Sequence, residues 1–125
     1  MDLEVNIKKT MHITPEDIDD IMCSAFEGGI TSYWCTNAEV VGEYLGEYAS
    51  EQISRGGTLK LYDEDGQVYE LTKSKLLNGI KLAIEQDYYP HYHWHVDQVL
   101  DGCQIDGEVA DAIVQLALFE NVIYG

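Results

Sequence analysis

"TLKLYDEDGQVYELT", residues 58 to 72, decides what kind of fold this chain adopts. Leu59 and Leu61 alternate on one side of a run of turn formers, Asp63-Glu64-Asp65-Gly66, and Val68 and Leu71 resume on the other. Apolar alternation interrupted by an Asp/Gly turn is the pattern of a β-hairpin. Thr72 then starts a helix reaching about Glu85, with Leu76, Leu77, Ile80 and Ile84 along one side. A hairpin abutting a helix, with no regular β-α-β rhythm around it, points to an α+β fold with an antiparallel sheet.

Working outward, Thr14, Pro15 and Asp17 spell a capped helix start, and Ile18, Ile21, Met22, Ala25 and Phe26 give that helix one apolar face. Gly28-Gly29 stops it. "ITSYWC", Ile30 to Cys35, reads as a buried strand, and Asn37 as the cap of a second helix. That helix would run to Gly56-Gly57 with Val41, Tyr44, Leu45 and Tyr48 as its face. Asp106 caps a last helix carrying Val109, Ala112, Ile113 and Leu116. "NVIYG" at 121–125 predicts a terminal strand, and the alternation of Leu3, Val5, Ile7, Met11 and Ile13 an opening strand or two. The expectation is a small antiparallel sheet packed with about four helices, in a single domain spanning 1–125.

Charge limits the partners. Twenty-three carboxylates against 7 Lys or Arg give a net charge of −16, which repels nucleic acid and anionic membrane and attracts basic surfaces or cations. Met1-Asp2-Leu3-Glu4 does not open a signal peptide, and no apolar run approaches membrane-spanning length. Cys23, Cys35 and Cys103 are odd in number and scattered, which reads as buried thiols in a reducing cytoplasm.

"EVVGEYLGEYASEQ", residues 39 to 52, sits inside the second expected helix and is at odds with it. Glu39, Glu43, Glu47 and Glu51 fall four apart, so three like-charge pairs would cost on the order of 1 kcal/mol. Gly42 and Gly46 would each cost up to about 1 kcal/mol relative to Ala. Local rules broken together point to packing or function. The glycines read as a groove for a second backbone, within the fold or across a homodimer. The glutamates read either as a solvated stripe or as a recognition surface. Their steps of about 6 Å along a helix approach the spacing of nucleic-acid phosphates. On the second reading Glu39, Glu43, Glu47 and Glu51, with Tyr44 and Tyr48, bind a partner's basic groove.

"YYPHYHWHVD" places His91, His93, His95 and Asp97 at alternate positions, on one face if the segment is a strand. Such a set could hold zinc, although residues about 7 Å apart meet a single ion only on a curved strand. Exposed histidines on a half-buried strand, or a pH-sensitive patch, are the alternatives. Elsewhere the motifs are ordinary. Asp63-Glu64-Asp65-Gly66 lacks the calcium-loop spacing, and Cys35 beside Trp34 reads as a small buried hydrophobe. Glu16, Asp17, Asp19 and Asp20 suit a helix N-terminus. No nucleophile elbow, Walker A loop, dinucleotide fingerprint or H-E-x-x-H occurs.

"EDIDDIMCSAFEGGITSYWC", "VVGEYLGEYASEQISRGGTLKLYD" and "IDGEVADAIVQLALF" together resemble a family of small acidic proteins of bacteriophages and prophages of Gram-positive bacteria. The resemblance covers most of the chain outside the histidine-rich segment. It implies no catalytic residues, and a non-structural accessory role in the cytoplasm of a bacterial host. By analogy with other small acidic phage proteins, the expected function is a non-enzymatic inhibitor of host defence, of anti-CRISPR type. Its partner would be a defence protein or ribonucleoprotein with a basic groove, without direct nucleic-acid or membrane binding and without a cofactor. The rival expectations are a zinc-binding protein or metal-dependent enzyme using the histidine strand, and a sponge for a nucleotide immune signal. The presence of a single arginine, Arg55, opposes the last.

Overall fold

Thr14 does what its position predicts. Its side chain accepts from the Asp17 N–H while Asp17 caps the Thr14 N–H, and Pro15 occupies the first turn of α1 (Pro15–Gly28). The computed structural model describes residues 11–86, 88 and 105–124, without the Ser32 side chain. After α1 come a 3-10 turn (Ile30–Ser32), β1 (Asn37–Val40), a second 3-10 turn (Ala49–Glu51), β2 (Leu59–Tyr62) and β3 (Val68–Leu71). Two further helices follow, α2 (Lys73–Glu85) and α3 (Gly107–Phe119). Asp106 caps α3 through the Val109 N–H, as its position predicts, and Thr72 stands just ahead of α2 and caps it through the Lys75 N–H.

The expected hairpin forms. β2 and β3 pair antiparallel with Leu59 opposite Leu71 and Tyr62 opposite Val68. β1 joins the other edge of β2, giving a sheet in the order β1-β2-β3. Ala38, Leu61 and Tyr69 line up across its inner face, as do Val40, Leu59 and Leu71. On the outer face Lys60 lies in register between Glu39 and Glu70. A cation between two acids is the favourable cross-strand order. One connected core joins the sheet to the three helices, through Ile21, Met22, Ile30, Ile53, Leu76, Ile80, Ile113 and Leu116 among others.

Helix packing rests on glycine at two places. Among the described residues the α2–α3 contact is the most extensive, and there the backbone of α3 lies against Gly79. A Cβ on Gly79 would collide with the Ile113 carbonyl oxygen and approach the Ala117 Cβ to 2.8 Å. The end of α1 meets the start of α3 backbone to backbone, where a Cβ on Gly29 would lie 2.7 Å from the Gly107 carbonyl oxygen. Ser24 Oγ donates to the Ile105 carbonyl beside that contact.

Several expectations are corrected. No helix spans 37 to 55, so the described residues hold three α-helices rather than about four. Asn37 begins a strand instead of capping a helix, because its segment finds backbone partners on β2 that a helix would forgo. The supposed apolar face points outward, with Val41, Tyr44, Leu45 and Tyr48 all exposed. "ITSYWC" forms a tight turn in which the N–H groups of Tyr33, Trp34 and Cys35 all donate to the Ile30 carbonyl. Ile30, Trp34 and Cys35 are buried as expected, without a strand. Residues 121–124 form no strand either, since the Gln115 side chain supplies the hydrogen bonds a neighbouring strand would have given. The predicted opening strand at 3–13 falls mostly on residues 1–10, outside the described residues.

Candidate functional site

Two places gather polar and aromatic side chains beyond what a small core needs. The first is the loop at 41–48. Val41 N–H donates to the Thr58 carbonyl and extends the β1–β2 ladder by one residue. Gly42 then turns the chain away from the sheet with φ at +75°, a left-handed conformation costly for any residue with a Cβ. Two side chains of the following turn hold the loop down. Gln52, buried, accepts from the Leu45 N–H and donates to the Glu43 carbonyl. Glu51 Oε1 accepts from the N–H groups of Glu47 and Tyr48, while Oε2 lies 3.6 Å from Arg55. Gly46 fits beneath this arrangement because a Cβ there would come within 2.7 Å of Arg55 Nε and 2.8 Å of the Glu51 Cβ.

The four glutamates therefore do not form a ladder. Glu39 stands on β1 and accepts from the Tyr62 hydroxyl, Glu43 and Glu47 are exposed in the loop, and Glu51 is an internal anchor. The even steps of about 6 Å need a helix that is absent. Gly42 and Gly46 likewise form no helical groove. One supports a turn, and the other makes room for side chains of this same chain. What remains together is Glu43, Tyr44, Leu45, Glu47 and Tyr48, with Tyr44 and Tyr48 60% and 62% exposed.

Hydrogen bonds from the Tyr48 N–H, opposed by partial burial and joined by the Glu47 N–H and Arg55, hold the Glu51 carboxyl below the ordinary glutamate value of 4.5. A depressed carboxylate anchors its partners at every pH above the unfolded value and lets go as pH falls through the folded one. Amide exchange at Glu47 and Tyr48 is accordingly expected to keep its protection from neutral pH to about 4.5 and to lose it below, ahead of the helix amides. In Glu51→Gln, hydrogen-exchange NMR is expected to show no such acid step.

The second place was not legible as a site in the sequence. Trp34 stacks on Tyr124 with ring centroids 5.0 Å apart, and Tyr69 and Phe119 meet the indole edge to face. Trp34 Nε1–H donates to Asp111 Oδ1 at 2.7 Å. Gln115, with no exposed surface, donates to Asp111 and to the Tyr124 carbonyl and accepts from the Ile123 and Tyr124 N–H groups. Asp63, in the hairpin turn, is buried and accepts from the Asp65 and Gln67 N–H groups and from the Tyr69 and Tyr124 hydroxyls.

Burial alone would push the Asp63 carboxyl up. The Gln67 N–H, the Tyr124 and Tyr69 hydroxyls and the Asp65 N–H outweigh it and leave the carboxyl below the ordinary 3.8. The neighbouring Tyr69 hydroxyl, then burial and the Asp63 charge, raise the Tyr124 phenol well above 10. Tyr124 therefore stays protonated and keeps donating at physiological pH. Its segment had one visible signal, a lone Gln115 inside the otherwise apolar "AIVQLALF".

The remaining candidates are quickly placed. Cys35 is buried and its thiol donates to the Asn37 carbonyl, and burial raises it above the ordinary thiol value, against activation as a nucleophile. Cys23 is a half-buried free thiol, less enclosed than expected, and Cys103 lies outside the described residues. His91, His93, His95 and Asp97 also lie outside them. Among the described residues no group of His, Cys, Asp or Glu is arranged to hold a metal ion, and no helix is long and apolar enough to cross a membrane. No protein-family model, curated protein or solved structure matches the chain.

Proposed function

We propose that the chain is a non-enzymatic, phage-encoded inhibitor of a bacterial defence system, of anti-CRISPR type, acting in the host cytoplasm. It docks the Glu43–Tyr48 loop onto a basic groove of a defence protein or ribonucleoprotein. The observation that carries the reading is a loop presenting Tyr44, Leu45 and Tyr48 to solvent beside the exposed Glu43 and Glu47 while Gln52 and Glu51 pin its backbone. A pinned loop loses little further conformational freedom on binding. Exposed tyrosines supply wide contact area with few rotatable bonds, and they are frequent binding hot spots. The −16 charge favours a basic partner and speeds the encounter. Charge complementarity here comes from carboxylates ringing aromatic anchors, in place of phosphate mimicry by a helical ladder.

The test is affinity capture from a host carrying intact defence systems, followed by mass spectrometry and an inhibition assay on the captured complex. Tyr44→Ser/Tyr48→Ser is expected to fold normally and to lose at least about tenfold in affinity. Glu43→Lys/Glu47→Lys is expected to lose affinity mainly through slower association at low salt. Two folded variants inhibiting as well as the parent would end the proposal.

A further inference from the structure

At the end of the sheet remote from the Glu43–Tyr48 loop, a groove of about 390 Å³ opens between Tyr33, Trp34, the hairpin turn Asp63–Asp65, Ile123 and Tyr124. The register sets this placement, because Asn37 pairs with Tyr62 beside the turn and Val40 pairs with Leu59 beside the loop. Tyr124, stacked on the buried Trp34, contributes the aromatic lining. Tyr33 and Ile123 stand at the mouth, 47% and 55% exposed. Glu64 and Asp65 are exposed at the rim, and among the described residues no basic side chain lines the groove. The Asp63 charge lies just below, held by its four hydrogen bonds.

An occupant must satisfy aromatic and aliphatic walls and carboxylates at once. An anion is repelled, and a neutral apolar chain would desolvate the carboxylates without return. An ammonium keeps its hydration and offers no flat face. A guanidinium is planar, weakly hydrated, able to stack on rings and able to fork onto carboxylates. We propose that this groove receives an arginine side chain of a basic polypeptide, lodged between Tyr33 and Ile123 and paired with Glu64 and Asp65. The inference goes beyond the proposed function. It concerns the opposite end of the sheet and stands whether or not the loop is the inhibitory surface.

The test is an NMR titration of the unmodified chain with a capped Gly-Arg-Gly peptide, run beside its lysine and citrulline counterparts. The arginine peptide is expected to give saturable shifts at Tyr33, Glu64, Asp65 and Ile123 that leave Glu43 to Tyr48 in place. The lysine peptide is expected to bind several-fold more weakly, and the citrulline peptide not at all. Glu64→Gln/Asp65→Asn, both in an exposed turn, is expected to weaken arginine binding roughly tenfold, whereas Glu43→Gln/Glu47→Gln leaves it unchanged. No saturable shift with arginine, an equal response to citrulline, or the same loss in the Glu43/Glu47 variant would overturn the assignment.

Discussion

Gln115→Leu is expected to destabilise the protein by about 3 kcal/mol, although it replaces a polar residue in an apolar helix by an apolar one of similar size. Ranking by hydrophobicity alone gives the opposite sign. Gln115 is fully buried, and its amide serves Asp111 on one side and the backbone of Ile123 and Tyr124 on the other. Leucine would leave the Ile123 and Tyr124 N–H groups and the Tyr124 carbonyl, all in part-buried bonds, without their partner, and each such group costs up to about 1–3 kcal/mol where water does not replace it. Part of that cost is recovered if residues 122–124 peel away into water, but the Tyr124 ring then leaves Trp34. Urea unfolding should therefore show a lower midpoint, and Trp34 emission should shift red before the global transition. An unchanged midpoint would mean that the segment is not held by Gln115.

Gly79→Ala is the second large effect, and again the sign separates two accounts. Helix propensity favours alanine by about 0.8–1 kcal/mol at an interior position. Against this, the new methyl group would collide with the Ile113 carbonyl oxygen and crowd Ala117, both on the facing helix α3. A backbone carbonyl inside a helix cannot swing aside as a flexible side chain does. Relief requires α2 and α3 to move apart across the largest helix contact among the described residues. Overpacking of this kind costs about 1–3 kcal/mol, enough to outweigh the propensity gain. A fall in thermal midpoint by several degrees, with helix content kept in far-UV circular dichroism, is the expected result. A rise would show that the helices sit further apart.

The two variants mark where local reading succeeds and where it stops. Thr14 and Asp106 were legible because a cap is written within four residues, and the hairpin because its turn chemistry is contiguous. The segment from Asn37 to Arg55 misleads because Val41, Tyr44, Leu45 and Tyr48 have helical spacing yet face solvent. The decision there belonged to β2, twenty residues away, whose backbone took Asn37 to Val40 into the sheet. The conflict was nevertheless visible. Two glycines and a file of like charges argued against a helix, and Gly42 and Gly46 serve a turn and a tight approach instead. Of the candidate site, Glu43, Tyr44, Glu47 and Tyr48 stand out in the sequence through the repeated Gly-Glu-Tyr, but the helical spacing that groups them there does not form. The Trp34, Asp63, Asp111, Gln115 and Tyr124 assembly could not be read there, because helical spacing links only Asp111 with Gln115, four residues apart, while the other partners come from distant parts of the chain.

The bond from Trp34 to Asp111 spans 77 residues, that from Asp63 to Tyr124 spans 61, and that from Ser24 to Ile105 spans 81. Each closes on α3 or its flanks, so the early part of the chain has no finished core until residues 105–124 have been synthesised. A ribosome therefore delivers the capped helix α1 and the hairpin well before the piece that seals them. Until then Trp34 and the inner face of the sheet stay open to chaperones and to other nascent chains. Ribosome-stalled lengths ending before Gln115 are expected to be cut faster by protease than lengths that include residues 105–124.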